Sequence, residues 1–271
     1  MTLIISAVTS KKMYQVSDTR LTKNGDVFDD FSIKTTLVSC RNAFISISYT
    51  GIAYLSNLRT DEWLVKILSD FHAWDKTLIE IAEYIKSAAT IEFKKINNPK
   101  KHHTFVLMGW FVNAKGIAPT IGLITNCEDE NFKFLDIPLE HFEVRTLTLK
   151  KDAKLNKSYA LCINGTEPAI AEKYFRKQLH KFIFNKLNNN TDYKDAVKDL
   201  VKFVRIAASH KKYGKYINKY CVSVYFEIGN PEVNTSYHNF DNKKISYLPN
   251  FITKKGLPFW GFKANFTGDP L

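Results

Sequence analysis

Short apolar runs rich in β-branched residues open the chain. Thr2 to Val8 and Met13 to Val16, joined by the polar Thr9-Ser10-Lys11-Lys12, have the pattern of a hairpin. The stretch LTKNGDVFDD that follows is polar and predicts a loop. A second hairpin is predicted from Ile33 to Ser39 and Ala43 to Tyr49, around Cys40-Arg41-Asn42. From Gly51 the period lengthens: GIAYLSNLRTDEWLVKILSDF carries Leu55, Leu58, Trp63, Leu64, Ile67, Leu68 and Phe71 near helical spacing, and TLIEIAEYIKSAATIEFKKI repeats it with Leu78, Ile81, Ile85, Ala88 and Ile91. Two helices are expected, linked near Ala73-Trp74-Asp75-Lys76, the second stopped by the Asn-Asn-Pro before Lys100.

Strands return at Thr104 to Val112 and Pro119 to Thr125, then at Phe132 to Asp136, Glu143 to Leu149 and Ser158 to Ile163. A helix is predicted from Pro168 to about Asn185 and another over DYKDAVKDLVKFVRIAASH, where Val197, Leu200, Val201, Val204 and Ala208 share a face. Tyr220 to Ile228 closes the set as a strand. Helices that come in adjacent pairs between blocks of strands argue against a doubly wound parallel sheet. The order predicts an α+β fold of two antiparallel sheets face to face, with helix pairs covering the outer faces.

Composition adjusts this picture only slightly. With 271 residues and 45% hydrophobic content the chain can bury a full core, read as one domain over 1–228 and an extension over 229–271. A net charge of +12 raises the question of an anionic partner such as nucleic acid. Only six of the 39 basic residues are arginine, and heavy use of Lys, Asn, Ile and Phe is what an AT-rich genome produces, so nucleic acid stays the less favoured partner. The clusters NNPKKHH and HKKYGKY interleave cations with His or Tyr and would suit phosphate contacts or, equally, solvated loops. Cys40, Cys127, Cys162 and Cys221 are scattered without metal-ligand spacing, which predicts a reduced, cytoplasmic protein and no metal. Lys11-Lys12 interrupts the first apolar run, and none reaches the roughly 20 residues of a membrane span. Neither an export signal nor a membrane association is expected, and no cofactor is called for.

One constellation carries chemistry. The segments TLIISAV, SDTRLT, IKTT and SYTGIA, with Asp18, Arg20 and Lys34 lying 16, 18 and 32 positions after Thr2, resemble the proteasome β-subunit family of N-terminal nucleophile hydrolases. The resemblance implies a four-layer αββα sandwich (the N-terminal nucleophile hydrolase fold), Thr2 as nucleophile, Asp18 and Lys34 as catalytic partners, Arg20 as structural support and Gly51 as the oxyanion donor at a helix entrance. The chemistry is self-consistent. Removal of Met1 would give Thr2 an α-amine of ordinary pKa about 8, able to act as the local base. Lys34 would favour the deprotonated hydroxyl and stabilise developing charge, with Asp18 orienting it. Taken singly, Thr2 is also an ordinary second residue, Lys34 one of thirty-three lysines and Gly51 a turn glycine. A peptide or amide substrate, a homo-oligomer or ring and a separate ATP-dependent partner are likewise implied by the resemblance, since the chain has no phosphate-cradling glycine loop of its own.

The pattern departs from the family in two places. ALCINGTEPA puts Asn164 where a serine is usual, in a role supporting the site. AASHKKYGKYINKYCVSV offers no acid between Asp199 and Glu227, where the family carries an aspartate. The alternative function is therefore a catalytically silent relative kept for assembly or for an anionic partner. The aromatics Phe251, Phe259, Trp260, Phe262 and Phe266 of the extension would pack on the domain or on a neighbouring subunit.

Overall fold

The computed structural model describes residues 2–23, 26–147, 149–152, 157–165, 182, 192–211, 214–228, 233–238, 250–253 and 262–267. In chain order the elements are β1 (Leu3–Thr9), β2 (Lys12–Asp18), β3 (Leu21–Lys23), β4 (Asp26–Asp29), β5 (Thr35–Ser39), β6 (Ala43–Thr50), β7 (Tyr54–Leu55) and β8 (Leu58–Arg59). Then come α1 (Thr60–Asp70), a 3-10 turn at Ala73–Asp75, α2 (Leu78–Lys94), β9 (Thr104–Asn113), β10 (Gly116–Thr125) and β11 (Glu143–Leu147). The remainder comprises β12 (Lys150–Asp152), β13 (Lys157–Gly165), α3 (Tyr193–Ala208), β14 (Cys221–Glu227), β15 (Val233–His238), β16 (Asn250–Ile252) and β17 (Phe262–Thr267). The result is a mixed α+β protein with two large sheets.

The chain forms two compact units. One comprises Met1–Ile33, Thr148–Leu248 and Phe259–Leu271 and holds a seven-stranded sheet in the order β12-β13-β1-β2-β14-β15-β17. Its first hairpin closes because the Thr9 hydroxyl accepts the N–H groups of Lys11 and Lys12, a polar side chain replacing ladder bonds in the turn. Helix α3 lays Ala196, Val197, Leu200, Val201, Val204 and Ala207 on Leu3, Ile5, Ala7, Tyr14 and Val16. Val197, Leu200, Val201 and Val204 belong to the stripe read from the sequence, Ala196 and Ala207 join them, and Ala208 is only partly buried against the core. Asp192 caps α3 by accepting the Lys194 N–H. The helix expected from Pro168 lies outside the described residues except for Phe182, which is buried in the same core.

The other unit comprises Lys34–Leu147 and Pro249–Pro258 and holds a six-stranded sheet in the order β11-β10-β9-β6-β5-β16. Ile81, Ile85, Ala89 and Phe93 form a single i, i+4 row along α2, packed with Trp63, Leu64 and Leu68 of α1 over Ile45, Ile47, Phe105, Leu107 and Ile124. Each large side chain so buried contributes roughly 1.5–3 kcal/mol. Thr77 starts α2 with a reciprocal cap: its hydroxyl accepts the Glu80 N–H while the Glu80 carboxylate accepts the Thr77 N–H.

Several expectations are corrected. The loop after Asp18 holds a short antiparallel pair, β3 with β4. Strand β5 starts at Thr35, so Lys34 precedes the strand on which it was expected, and that strand is the fifth rather than the third. The helical pattern read from Gly51 begins only at Thr60, because Ser56 and Asn57 both adopt left-handed backbone (φ 48° and 65°) and fold Tyr54–Arg59 into a two-residue hairpin. Phe132 to Asp136 is not a strand. The Asp129 carboxylate takes the N–H groups of Asn131 and Lys133, Phe132 sits at φ 59°, and only the isolated bridge between Glu128 and Phe134 remains.

Nor are the sheets purely antiparallel, since β17 joins β15 and β16 joins β5 in parallel. These strands come from beyond residue 228, and the two units divide the chain elsewhere than at that position. The described parts of the extension are thus strands of the sheets.

Candidate active site

Thr2 stands one residue ahead of β1 and is 3% exposed. Its carbonyl lies against Gly165, the last residue of β13, which pairs with Leu3. A Cβ on Gly165 would fall 1.6 Å from the Thr2 oxygen, and its φ of 126° is one that side chains resist, so only glycine fits this approach. Asn164, one position earlier and opposite Ile4, is buried and accepts the Cys162 thiol at 2.6 Å through Oδ1.

Asp18 ends β2 with no exposure to solvent. One carboxylate oxygen accepts the Leu3 N–H at 2.7 Å and the other the Arg20 N–H at 3.0 Å. Such charge-assisted bonds answer the cost of burying the acid and fix the backbone beside Thr2. Opposite Asp18 across the ladder is Cys221, whose thiol is held protonated, first by burial and then by the Asp18 charge. A thiol so disposed is no rival nucleophile.

Arg20 makes an ion pair in the turn after β2. Its guanidinium forks onto Asp30, Nε to Oδ1 at 2.6 Å and Nη2 to Oδ2 at 3.2 Å, while Nη1 donates to the Gly214 carbonyl at 2.9 Å. Asn218 completes this knot. Its amide donates to the Asp30 carbonyl at 2.7 Å, and its Oδ1 accepts the Thr19 N–H at 3.3 Å. The segment after α3, in which the sequence has no acid, is therefore bound to the β2 turn by arginine and a neutral amide. Nothing in local sequence distinguishes Asn218, since its partners lie 188 and 199 residues away. Gly165 has a faint signal, as the Asn-Gly at a strand end.

Lys34 and Gly51 belong to the six-stranded unit. Lys34 is 1% exposed, directly before Thr35, whose hydroxyl bonds Ser48 at 2.8 Å. Gly51 follows β6 at φ 115°, and a Cβ there would meet the His102 carbonyl oxygen at 2.2 Å. It is not at a helix entrance, because α1 begins nine residues later at Thr60. The expected support from a helix N-terminus is absent, and the turn is held instead by side chains. Ile52 donates its N–H to His103 Nδ1 at 3.1 Å, and the Thr60 hydroxyl donates to the Ile52 carbonyl at 2.7 Å. His103 is fully buried, and burial pushes its pKa down to about 3.

The basic run NNPKKHH is accordingly not a uniform cationic surface. Lys101 caps α2 through the carbonyls of Phe93 and Ile96, His102 bonds the Leu135 carbonyl, and His103 is core. In HKKYGKY, His210 and Lys211 are exposed, whereas Lys212 and Tyr213 lie outside the described residues. Among the described residues no group of three His, Cys, Asp or Glu side chains is placed to hold a metal ion, and no helix is long and apolar enough to cross a membrane.

No protein-family model and no curated protein matches the chain. Solved structures do. A Gly-1 mutant of Anbu from Hyphomicrobium sp. strain MC1 is similar with a TM-score of 0.51 and 12% identity, over 84% of this chain and 82% of that one. Anbu from Yersinia bercovieri, described as an ancestral β-subunit, gives a TM-score of 0.48 and 11% identity, over 84% and 81%. At these identities the likeness is one of fold.

Proposed function

We propose that the protein is a proteasome-like threonine amidohydrolase that cleaves peptide or related amide bonds through Thr2, within a four-layer αββα arrangement. The observation that carries this reading is the buried Asp18 carboxylate bonded to the N–H of Leu3, the residue after Thr2. It stands at the offset the proteasome resemblance requires, in a chain whose fold is similar to Anbu.

Removal of Met1 frees the Thr2 amine. Thr2 Oγ attacks the substrate carbonyl, and the amine, directly or through a water, takes the hydroxyl proton. Lys34 supplies the positive charge that favours the alkoxide, and Asp18 fixes the backbone next to the nucleophile. The Gly51 amide binds the oxyanion of the tetrahedral intermediate. Collapse expels the leaving amine, which takes the proton, and leaves an ester on Thr2. Water activated by the same amine hydrolyses that ester and restores the hydroxyl. Assembly with further copies, as for a β-subunit, belongs to this proposal, as does a cytoplasmic setting.

The lack of an acid between Asp199 and Glu227 favours a second reading, a catalytically silent relative. Intact mass and labelling separate the two. The parent should lack Met1 and be acylated once by a β-lactone, and Thr2→Ala should abolish the adduct. Retained Met1, or equal labelling of both proteins, would leave the silent relative.

A further inference from the structure

We propose that His103 is a positioning residue for the oxyanion site: its Nδ1, together with the Thr60 hydroxyl, clamps the Ile52 backbone and so fixes Gly51. This role rests on the threonine-hydrolase reading above, in which the Gly51 amide binds the oxyanion.

Gly51 has the freest backbone of any residue type, yet a donor that stabilises a transient negative charge must already point the right way. Its flanks are both restrained. On one side Thr50 is in the β6–β9 ladder opposite Thr104. On the other, Ile52 is held at both of its polar groups, the N–H by His103 Nδ1 at 3.1 Å and the carbonyl by the Thr60 hydroxyl at 2.7 Å. Thr60 also donates its N–H to the Ala53 carbonyl at 2.9 Å, tying the start of α1 to the same turn.

The clamp is itself rigid. The His103 N–H donates to Asn126 Oδ1 at 2.8 Å, and its carbonyl accepts the Asn126 N–H at 3.2 Å. Its ring is caged by Tyr49, stacked at 5.9 Å, by Phe105 at 4.5 Å and by Phe93 at 5.2 Å between centroids.

Packing alone does not call for a histidine here. In the neutral ring an accepting Nδ1 leaves the proton on Nε2, which is buried with no hydrogen-bond partner. A buried donor without an acceptor is a cost that phenylalanine would avoid while filling the same cage. What histidine adds is the acceptor for Ile52. Burial keeps that acceptor available by holding the ring neutral.

The test uses the full-length protein and two electrophiles. A β-lactone acylates Thr2 through a tetrahedral oxyanion, whereas a peptide vinyl sulfone alkylates it by conjugate addition and forms none. His103→Phe keeps the ring and removes the acceptor; His103→Asn restores an acceptor near the Nδ1 position; Thr60→Val removes the other jaw. We expect His103→Phe and Thr60→Val to slow β-lactone acylation roughly tenfold to hundredfold with vinyl sulfone alkylation held within about twofold. His103→Asn should recover part of the loss. Amide exchange at Ile52 should quicken in His103→Phe.

Unchanged β-lactone rates in folded variants, or equal slowing of both electrophiles, would overturn the positioning role while leaving Thr2 chemistry standing. A parent that neither electrophile labels would instead remove the hydrolase reading, and this role with it. If His103→Phe does not fold, Thr60→Val decides the matter with the same pair of rates.

Discussion

The turn after β2 is held by ions. Asp18 takes two backbone N–H groups, and Arg20 reaches Asp30 and the Gly214 carbonyl with its side chain still 17% exposed and that of Asp30 30% exposed. The turn after β6 is held by neutral groups sealed from water, with His103 and Thr60 on either side of Ile52. Partly solvated ion pairs such as Arg20–Asp30 contribute modestly and are screened by salt. A dry imidazole contact ignores salt, but it is lost when a proton is forced onto the ring. One turn steadies the backbone next to Thr2 and the other steadies the backbone at Gly51, by means that respond to different solution conditions.

The largest expected effect follows from that contrast. His103 titrates at about 3 when folded against 6.5 unfolded. The unfolded chain therefore binds the proton first: stability from this group is complete above pH 6.5 and is lost as pH falls from 6.5 towards 3, on the order of 5 kcal/mol over the interval. Urea midpoints measured from pH 7 to 3.5 should fall more steeply on acidification for the parent than for His103→Phe, because the variant lacks this term. Parallel curves would break the comparison.

Next comes Gly51→Ala. The new methyl would meet the His102 carbonyl oxygen at 2.2 Å in a backbone of φ 115°, so a loss of about 3 kcal/mol is expected. The β2 turn has no such requirement, since Thr19 and Arg20 carry side chains there, and Thr19→Ala should cost less by the same denaturation measurement.

The smallest effect sharpens the comparison from the ionic side. Arg20→Lys keeps the charge but loses the two-pronged contact to Asp30, a change of about 1 kcal/mol that should shrink as salt rises. Repeating the measurement on Thr60→Val should show no salt dependence.

Much of this architecture could be read from the chain because apolar period and side-chain length agree with the element formed, as in the i, i+4 row of α2 or the hairpin of β1 and β2. The errors have specific causes. Leu55 and Leu58 fall in helical register with Trp63 by coincidence, although Ser56 and Asn57 turn the backbone into a hairpin. Asn24-Gly25, a hairpin signature, is obscured by the polarity of the surrounding LTKNGDVFDD. Strand β15 hides its identity because Thr235, Ser236 and His238 are buried polar residues, and Ser223 bonds His238 at 2.8 Å across the β14–β15 ladder.

The spacing of Asp18 and Arg20 behind Thr2 was legible; their partners were not. Asn218 and Gly214 meet the β2 turn only through folding, and His103 is indistinguishable from a surface cation in NNPKKHH until its aromatic cage is assembled.

The threading of the two units has a consequence for how such a protein can be inherited and rebuilt. The backbone passes from one unit to the other four times, and strands from its last third are set into both sheets. Neither half corresponds to a continuous stretch of gene. Recombination cannot transplant one of them intact, and any shortening before residue 250 would strip β5 of its edge partner and leave bare main-chain donors and acceptors open to pairing with other molecules.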